Sequence, residues 1–82
     1  MNARARKFMA VTDLPIWTDC PFRKLVPANL EIRKAVTGDL AVFWDPARER
    51  SVMFRPSQTE GMPEAALVEG FLTPILANLG TR

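Results

Sequence analysis

The sequence contains no histidine and only one cysteine, Cys20, among its 82 residues. Histidine is the side chain that most often acts as a general acid or base near neutral pH, so the commonest catalytic group is missing. Without histidine and with one cysteine, neither a Cys/His zinc site nor an intrachain disulfide bond can form. This composition favours a reducing compartment, the cytoplasm, and gives no reason to expect a metal ion or another cofactor.

Long apolar runs are also missing. No run approaches the roughly 20 residues that a transmembrane helix requires. Near the N-terminus, the apolar run from Phe8 to Val11 ends at Thr12 and Asp13, which is too early for the apolar core of a secretory signal peptide. Hydrophobic residues make up 48% of the chain and charged residues 24%, as in globular proteins. We therefore expect a soluble, non-secreted protein that does not bind membranes.

The positive charge is unevenly distributed along the chain. Three of the eleven basic residues, Arg4, Arg6 and Lys7, lie together at the N-terminus without an acidic neighbour. The other eight basic residues face nine acidic ones, so the rest of the chain is nearly neutral. Its length suffices for one domain with a modest core. We predict a flexible basic arm over residues 1–7 and a single domain over residues 8–82.

The clearest structural signal is a β-hairpin in the middle of the chain. Two runs rich in β-branched and aromatic residues, Leu40–Trp44 and Val52–Phe54, flank a polar loop that begins at Asp45 and Pro46. Side chains alternate between the two faces of a strand, and both faces of this hairpin are apolar. One face is therefore either covered elsewhere in the same chain or completed by a partner.

The C-terminal part of the chain predicts an amphipathic helix from Pro63 to Leu79. Seven apolar residues recur at alternating steps of one and three, which is the pattern of a helix with one buried face. They are Leu67, Val68, Phe71, Leu72, Ile75, Leu76 and Leu79. Pro74 interrupts this helix, because proline lacks an N–H and crowds the carbonyl four residues earlier. The pattern predicts either a kink or two short helices that meet at Thr73, with Thr73 as an N-cap.

Residues 27–38 are compatible with two secondary structures. As a helix, Pro27 lies in the first turn and Gly38 ends it. As a strand, Leu30 and Ile32 share one face, and a tight turn at Gly38 leads into the hairpin. The mixed helix propensity of the segment favours the strand. The predicted fold is α+β, with a small antiparallel sheet, a meander around the central hairpin, covered by the kinked C-terminal helix.

Five side chains are candidates for binding a partner. Large tryptophan side chains dominate binding energy when they are exposed, and arginine binds carboxylates or phosphates with two hydrogen bonds. The candidates are Trp17, Trp44, Arg48, Arg50 and Arg55. The sequence offers no activated nucleophile and no phosphate-binding loop, so we do not expect an enzyme.

These features favour a small regulatory protein that binds a cellular protein target. It would act as an adaptor or inhibitor, of the type that phages and mobile elements encode. A homodimer is compatible with the same features. The reasons for this preference are the two-sided apolar hairpin, the near-neutral domain, the missing catalytic groups and the small size.

The alternative is binding to DNA. With residues 27–38 as a helix and the hairpin as a wing, the order of elements is similar to that of winged-helix excisionases and small phage regulators. The resemblance implies that Arg33 and Lys34 face the major groove and that Arg48 and Arg50 touch phosphates. The basic arm would then enter the minor groove through Arg4, Arg6 and Lys7.

Overall fold

The computed structural model describes residues 10–80, which form a three-stranded antiparallel sheet followed by one C-terminal helix. The strands are β1 (Glu31–Lys34), β2 (Ala41–Asp45) and β3 (Arg50–Phe54), and they lie in the sheet in chain order. The predicted α+β class and the meander around the central hairpin are confirmed. Residues 31–34 form a strand, as the sequence favoured. The predicted basic arm lies outside the described residues.

A short loop joins β1 to β2. The N–H of Ala35 donates to the carbonyl of Leu40 at 3.0 Å and closes residues 36–39 into a turn. Gly38 has a φ of 86°, a left-handed conformation that glycine adopts without a steric penalty. Asp39 then attaches this loop to the turn after β3, because its carboxylate accepts hydrogen bonds from the hydroxyl and the N–H of Ser57. These two bonds hold the pKa of Asp39 below its usual value.

One face of the sheet, which we call the core face, packs against a cluster of phenylalanines. The rings of Phe43 on β2 and Phe54 on β3 stack with their centroids 4.6 Å apart. Phe71 from the C-terminal helix meets Phe54 at 5.4 Å, and Phe22 from the loop before β1 meets Phe71 at 5.9 Å. Four segments of the chain therefore contribute to one aromatic core, which is completed by buried aliphatic residues such as Ile32.

The C-terminal helix is continuous but changes its winding. It begins with α1 (Glu64–Ala66), continues through a π-helical segment (Leu67–Leu72) and ends with α2 (Thr73–Asn78). The π-helical segment ends at Leu72, two residues before Pro74, and it includes Gly70, so the wider turn lies where the proline ring would crowd the carbonyl of Gly70. Gly80, at a φ of 75°, follows its end as predicted.

Thr73 does not begin a second helix, so that alternative is wrong. The backbone at Leu72 and Thr73 is α-helical, and the Thr73 hydroxyl donates backwards to the carbonyl of Val68 at 2.7 Å. An N-cap side chain would instead accept a bond from an N–H further along the helix. Within residues 10–80, no helix is long and apolar enough to cross a membrane.

We predict that Leu72 and Met53 differ sharply in their contribution to stability. Leu72 is 1% exposed in the core, whereas Met53 is 68% exposed on β3. Leu72→Ala should lower the free energy of unfolding by about 2–5 kcal/mol through lost burial and a residual cavity. Met53→Ala should change it by less than about 0.5 kcal/mol. Urea denaturation of both variants measures the difference, and a loss for Met53→Ala equal to that for Leu72→Ala would contradict this assignment of the core.

Candidate functional site

The second face of the sheet, which we call the back face, is only partly covered. It carries Val42 and Trp44 from β2 and Met53 from β3, because residues of opposite parity lie on the core face. Leu14, which is 5% exposed, covers Val42, which is 6% exposed. Met53 remains 68% exposed. The chain itself therefore buries part of the second apolar face of the hairpin, and the rest of that face remains exposed.

Arg33 fastens the covering segment to the back face. Its guanidinium donates to the carbonyl of Leu14 at 2.6 Å and to the carboxylate of Glu31 at 2.7 Å. Backbone bonds continue this attachment along the outer edge of β1, where the Trp17 N–H donates to the Ile32 carbonyl at 2.8 Å. Residues 15–17 thus occupy the free edge of β1, and the side chain of Arg33 is used inside the domain.

Two cavities adjoin Met53 on the back face. One has a volume of about 440 Å³ and the other about 210 Å³, and Leu40 and Met53 line both. We call this pair of cavities the Met53 groove. The larger cavity is also lined by Asp39, Phe54, Arg55 and Gln58, and the smaller one by Ala10, Val11, Leu14, Val42 and Ser51. The smaller cavity is mainly apolar, whereas the larger one combines the apolar Leu40, Met53 and Phe54 with the polar or charged Asp39, Arg55 and Gln58.

The outer edge of β3 is open within residues 10–80. The Ala35–Leu40 bond shows which pairs are hydrogen-bonded, because such pairs alternate along an antiparallel ladder. By this alternation, Val52 and its even-numbered neighbours direct their backbone groups to β2. The N–H and C=O groups of Ser51 and Met53 point away from the sheet, and none of the described residues pairs with them. The open edge therefore lies beside the Met53 groove.

The two predicted tryptophans lie in different environments. Trp44 is half-buried on the back face, the same face as Met53. Trp17 is half-buried on the core side, where its ring meets Phe22 edge-on at 6.0 Å and the Lys34 ammonium lies 5.7 Å from its centroid. Trp17 thus contributes to the aromatic core and lies away from the groove.

Of the two arginines at the hairpin tip, Arg48 forms an ion pair within the domain, whereas Arg50 is exposed near the C-terminal end of the helix. The Arg48 guanidinium donates to the Asp45 carboxylate at 3.0 Å, and the Asp45 side chain has 0% exposure. A Cβ atom built on Gly80 would lie 3.9 Å from a guanidinium nitrogen of Arg50. Arg50 therefore lies at the C-terminal end of the helix, where the backbone carbonyls favour a positive charge.

Arg55 is the predicted arginine that lines the Met53 groove. It is exposed and forms no ion pair with any residue in the described part of the chain. Of the five predicted binding residues, the structure therefore brings Arg55 to the groove and Trp44 to the same face. Sequence reasoning missed Met53 and Leu40, although the alternation that places Met53 opposite Val52 and Phe54 was a usable signal.

The residues predicted for DNA binding do not form a helical surface. Arg33 and Lys34 lie in β1, and no helix occupies residues 27–38. Lys34 lies over the Trp17 ring, as Arg33 lies against Leu14. Arg4, Arg6 and Lys7 lie outside the described residues.

The chain matches no model of a protein family, no curated protein and no solved structure with which it was compared. Among residues 10–80, no group of three or more acidic or cysteine side chains is arranged to hold a metal ion. The interpretation of the groove therefore depends on its own geometry and chemistry.

Asp45 should make the stability of the hairpin pH-dependent. Burial by itself would raise the pKa of Asp45, but hydrogen bonds from the guanidinium and the backbone N–H of Arg48 outweigh burial and lower the pKa. A lowered folded-state pKa means that this stabilisation is complete above the unfolded pKa of about 3.9 and is lost as the pH falls through the folded value. Asp45→Asn should therefore be less stable than the wild type at about pH 5. The difference in their free energy of unfolding should be smaller at about pH 2.

Urea denaturation of wild type and Asp45→Asn at both pH values measures this effect. Glu60→Gln is the matched control, because Glu60 is also acidic but its side chain is exposed and forms no ion pair with a described residue. A gap between wild type and Asp45→Asn that is the same at both pH values would show that the charge of Asp45 is not what stabilises the turn.

Proposed function

We propose that this protein is a small non-enzymatic regulator that binds another protein through the Met53 groove. It acts as an adaptor or inhibitor, of the type that phages and mobile elements encode, and works in the cytoplasm. The observation that carries the proposal is the exposure of Met53, at 68%, between two cavities of about 440 and 210 Å³. Single exposed apolar side chains are common on protein surfaces, but this one continues into an apolar groove.

The groove suits an apolar side chain of a protein partner. Full burial of one large apolar side chain contributes about 1.5–3 kcal/mol, and Leu40, Val42 and Met53 provide apolar contacts for it. Methionine supports this role because its unbranched, polarisable side chain adapts its shape to a bound group. The groove is therefore suited to an anchor of the kind that dominates protein interfaces.

Arg55 adds a preference for charge at one end of the groove. Its guanidinium has no ion-pair partner among residues 10–80, and arginine binds carboxylates with two parallel hydrogen bonds. We infer that the partner presents an apolar side chain to the groove and an acidic side chain to Arg55. Nucleic acid fits this surface less well, because the described groove lining has a single basic side chain, Arg55, beside the acidic Asp39, and the helix that DNA binding would require is a strand.

Met53→Lys should weaken capture of the partner at least about tenfold, because it puts an ammonium group into the apolar part of the groove at a cost of about 1.4 kcal/mol or more. Val68→Lys is the matched control, since Val68 is also an exposed apolar residue, at 36%, but lies on the C-terminal helix. The measurement is quantitative capture by tagged protein from a lysate of its source cell, with and without nuclease.

The proposal requires one stoichiometric protein that survives nuclease and that Val68→Lys retains. Equal capture by Met53→Lys and wild type would remove the groove as the binding site. Recovery that disappears with nuclease would replace protein binding by nucleic-acid binding. Circular dichroism of both variants verifies that they are folded.

A further inference from the structure

One edge of the sheet is covered by another segment of the chain, and the other edge is open among the described residues. Residues 15–17 cover the edge of β1 through the bonds Trp17 N–H to Ile32 and Lys34 N–H to Pro15, at 2.8 and 3.0 Å. No described residue covers β3. An open edge is a template for another strand, and proteins usually block such edges with a proline, a bulge or an inward-pointing charge. β3 contains no proline, its register with β2 has no bulge, and its one charged residue, Arg50, stands at its first position.

The exposed backbone groups of β3 are complementary to themselves. Ser51 and Met53 each present one N–H and one C=O outwards. If a second β3 lies antiparallel with Val52 opposite Val52, Ser51 of each copy faces Met53 of the other. Both residues then form hydrogen-bonded pairs, and all eight outward groups of the two copies are satisfied. A register centred on Ser51 or on Met53 would extend the pairing into the flanking turns.

The side-chain pairs that this register would bring together also support a register centred on Val52. On the core face, the half-buried Val52 side chains meet in a non-hydrogen-bonded pair, in which side chains lie close together. Arg50 lies opposite Phe54, so no arginine faces another arginine. Glu49 precedes β3 and Arg55 follows it, and the antiparallel arrangement therefore brings opposite charges together at both ends of the pair.

We propose that two copies of this chain pair antiparallel along β3, with Val52 at the two-fold axis, to form a continuous six-stranded sheet. Paired residues of adjacent strands share a face, so both Met53 grooves lie on the same side of the joined sheet. This dimer is independent of the proposed partner. It can form whether or not the groove binds another protein, and each can fail without the other.

Cysteine crosslinking tests the register. In a non-hydrogen-bonded pair the Cα atoms are about 4.5 Å apart, within the range of about 4.4–6.8 Å that a disulfide bond spans. Val52→Cys should therefore form a crosslinked dimer under mild oxidation. In Ser51→Cys, the two new cysteines would lie two residues out of register, at Cα distances beyond the roughly 7 Å that a disulfide allows. It should crosslink at least about tenfold more slowly.

The wild type provides two further readouts. Its own cysteine, Cys20, is buried, so oxidised wild type should remain uncrosslinked. Sedimentation of the wild type should give twice the mass of one chain, which requires no variant to fold. A monomer over the whole concentration range would overturn the proposal. So would a Ser51→Cys variant that crosslinks as fast as Val52→Cys, because that result indicates another register or random collision.

Discussion

The main constraint on this structure is that the central hairpin is apolar on both faces, whereas the described part of the chain has only one helix to cover them. The single C-terminal helix covers the core face, where the Phe43 and Phe54 rings stack at 4.6 Å and Phe71 closes over them. Among the described residues, the back face is covered only by residues 10–14, which precede β1. They reach Val42 through Leu14 but leave Met53 exposed. The open groove is thus a consequence of how the apolar side chains of one hairpin are divided between two faces.

One side chain, Arg33, attaches the N-terminal covering segment to the sheet. Its guanidinium binds a carbonyl of the covering segment and a carboxylate of its own strand, and so holds residues 10–14 against the sheet. The backbone bonds at residues 15–17 then complete β1. The same attachment makes the sheet asymmetric, because it closes one edge and leaves β3 free. The proposed contact with a second copy lies at the edge that this segment does not cover, and residues 10, 11 and 14 of the segment line one side of the Met53 groove.

Local signals were sufficient for most of the fold. The alternation of β-branched and aromatic residues identified the hairpin, and the helical spacing identified the C-terminal helix. Pro74 was predicted to interrupt the helix, but the helix continues through it, and the irregular part is the π-helical segment ahead of it. That form was not predictable, because a proline signals a disturbed helix without determining whether the helix kinks, ends or widens a turn. Thr73 was misread as a cap for the same reason.

The candidate site was less accessible to sequence reasoning. Arginine and tryptophan were chosen for their chemistry, but four of those five side chains lie outside the groove, and two of them, Trp17 and Arg48, form side-chain contacts within the domain. Trp17 packs on Phe22, Arg48 binds the buried Asp45, and Arg50 lies at the helix end. Residue type gives the capacity to bind, whereas availability depends on neighbours that are distant in the chain.

The hairpin, its two apolar faces and the C-terminal helix were predictable from the sequence alone, because periodicity and turn residues act between near neighbours, whereas residues 27–38 were compatible with both a helix and a strand. The tertiary contacts were needed to show which face the helix covers, that Arg55 is the predicted arginine beside the groove, and which strand edge is open among the described residues. The covering of the β1 edge, for example, depends on Arg33, which binds the carbonyls of Thr12 and Leu14, 21 and 19 positions away in the chain, and no local pattern encodes such contacts.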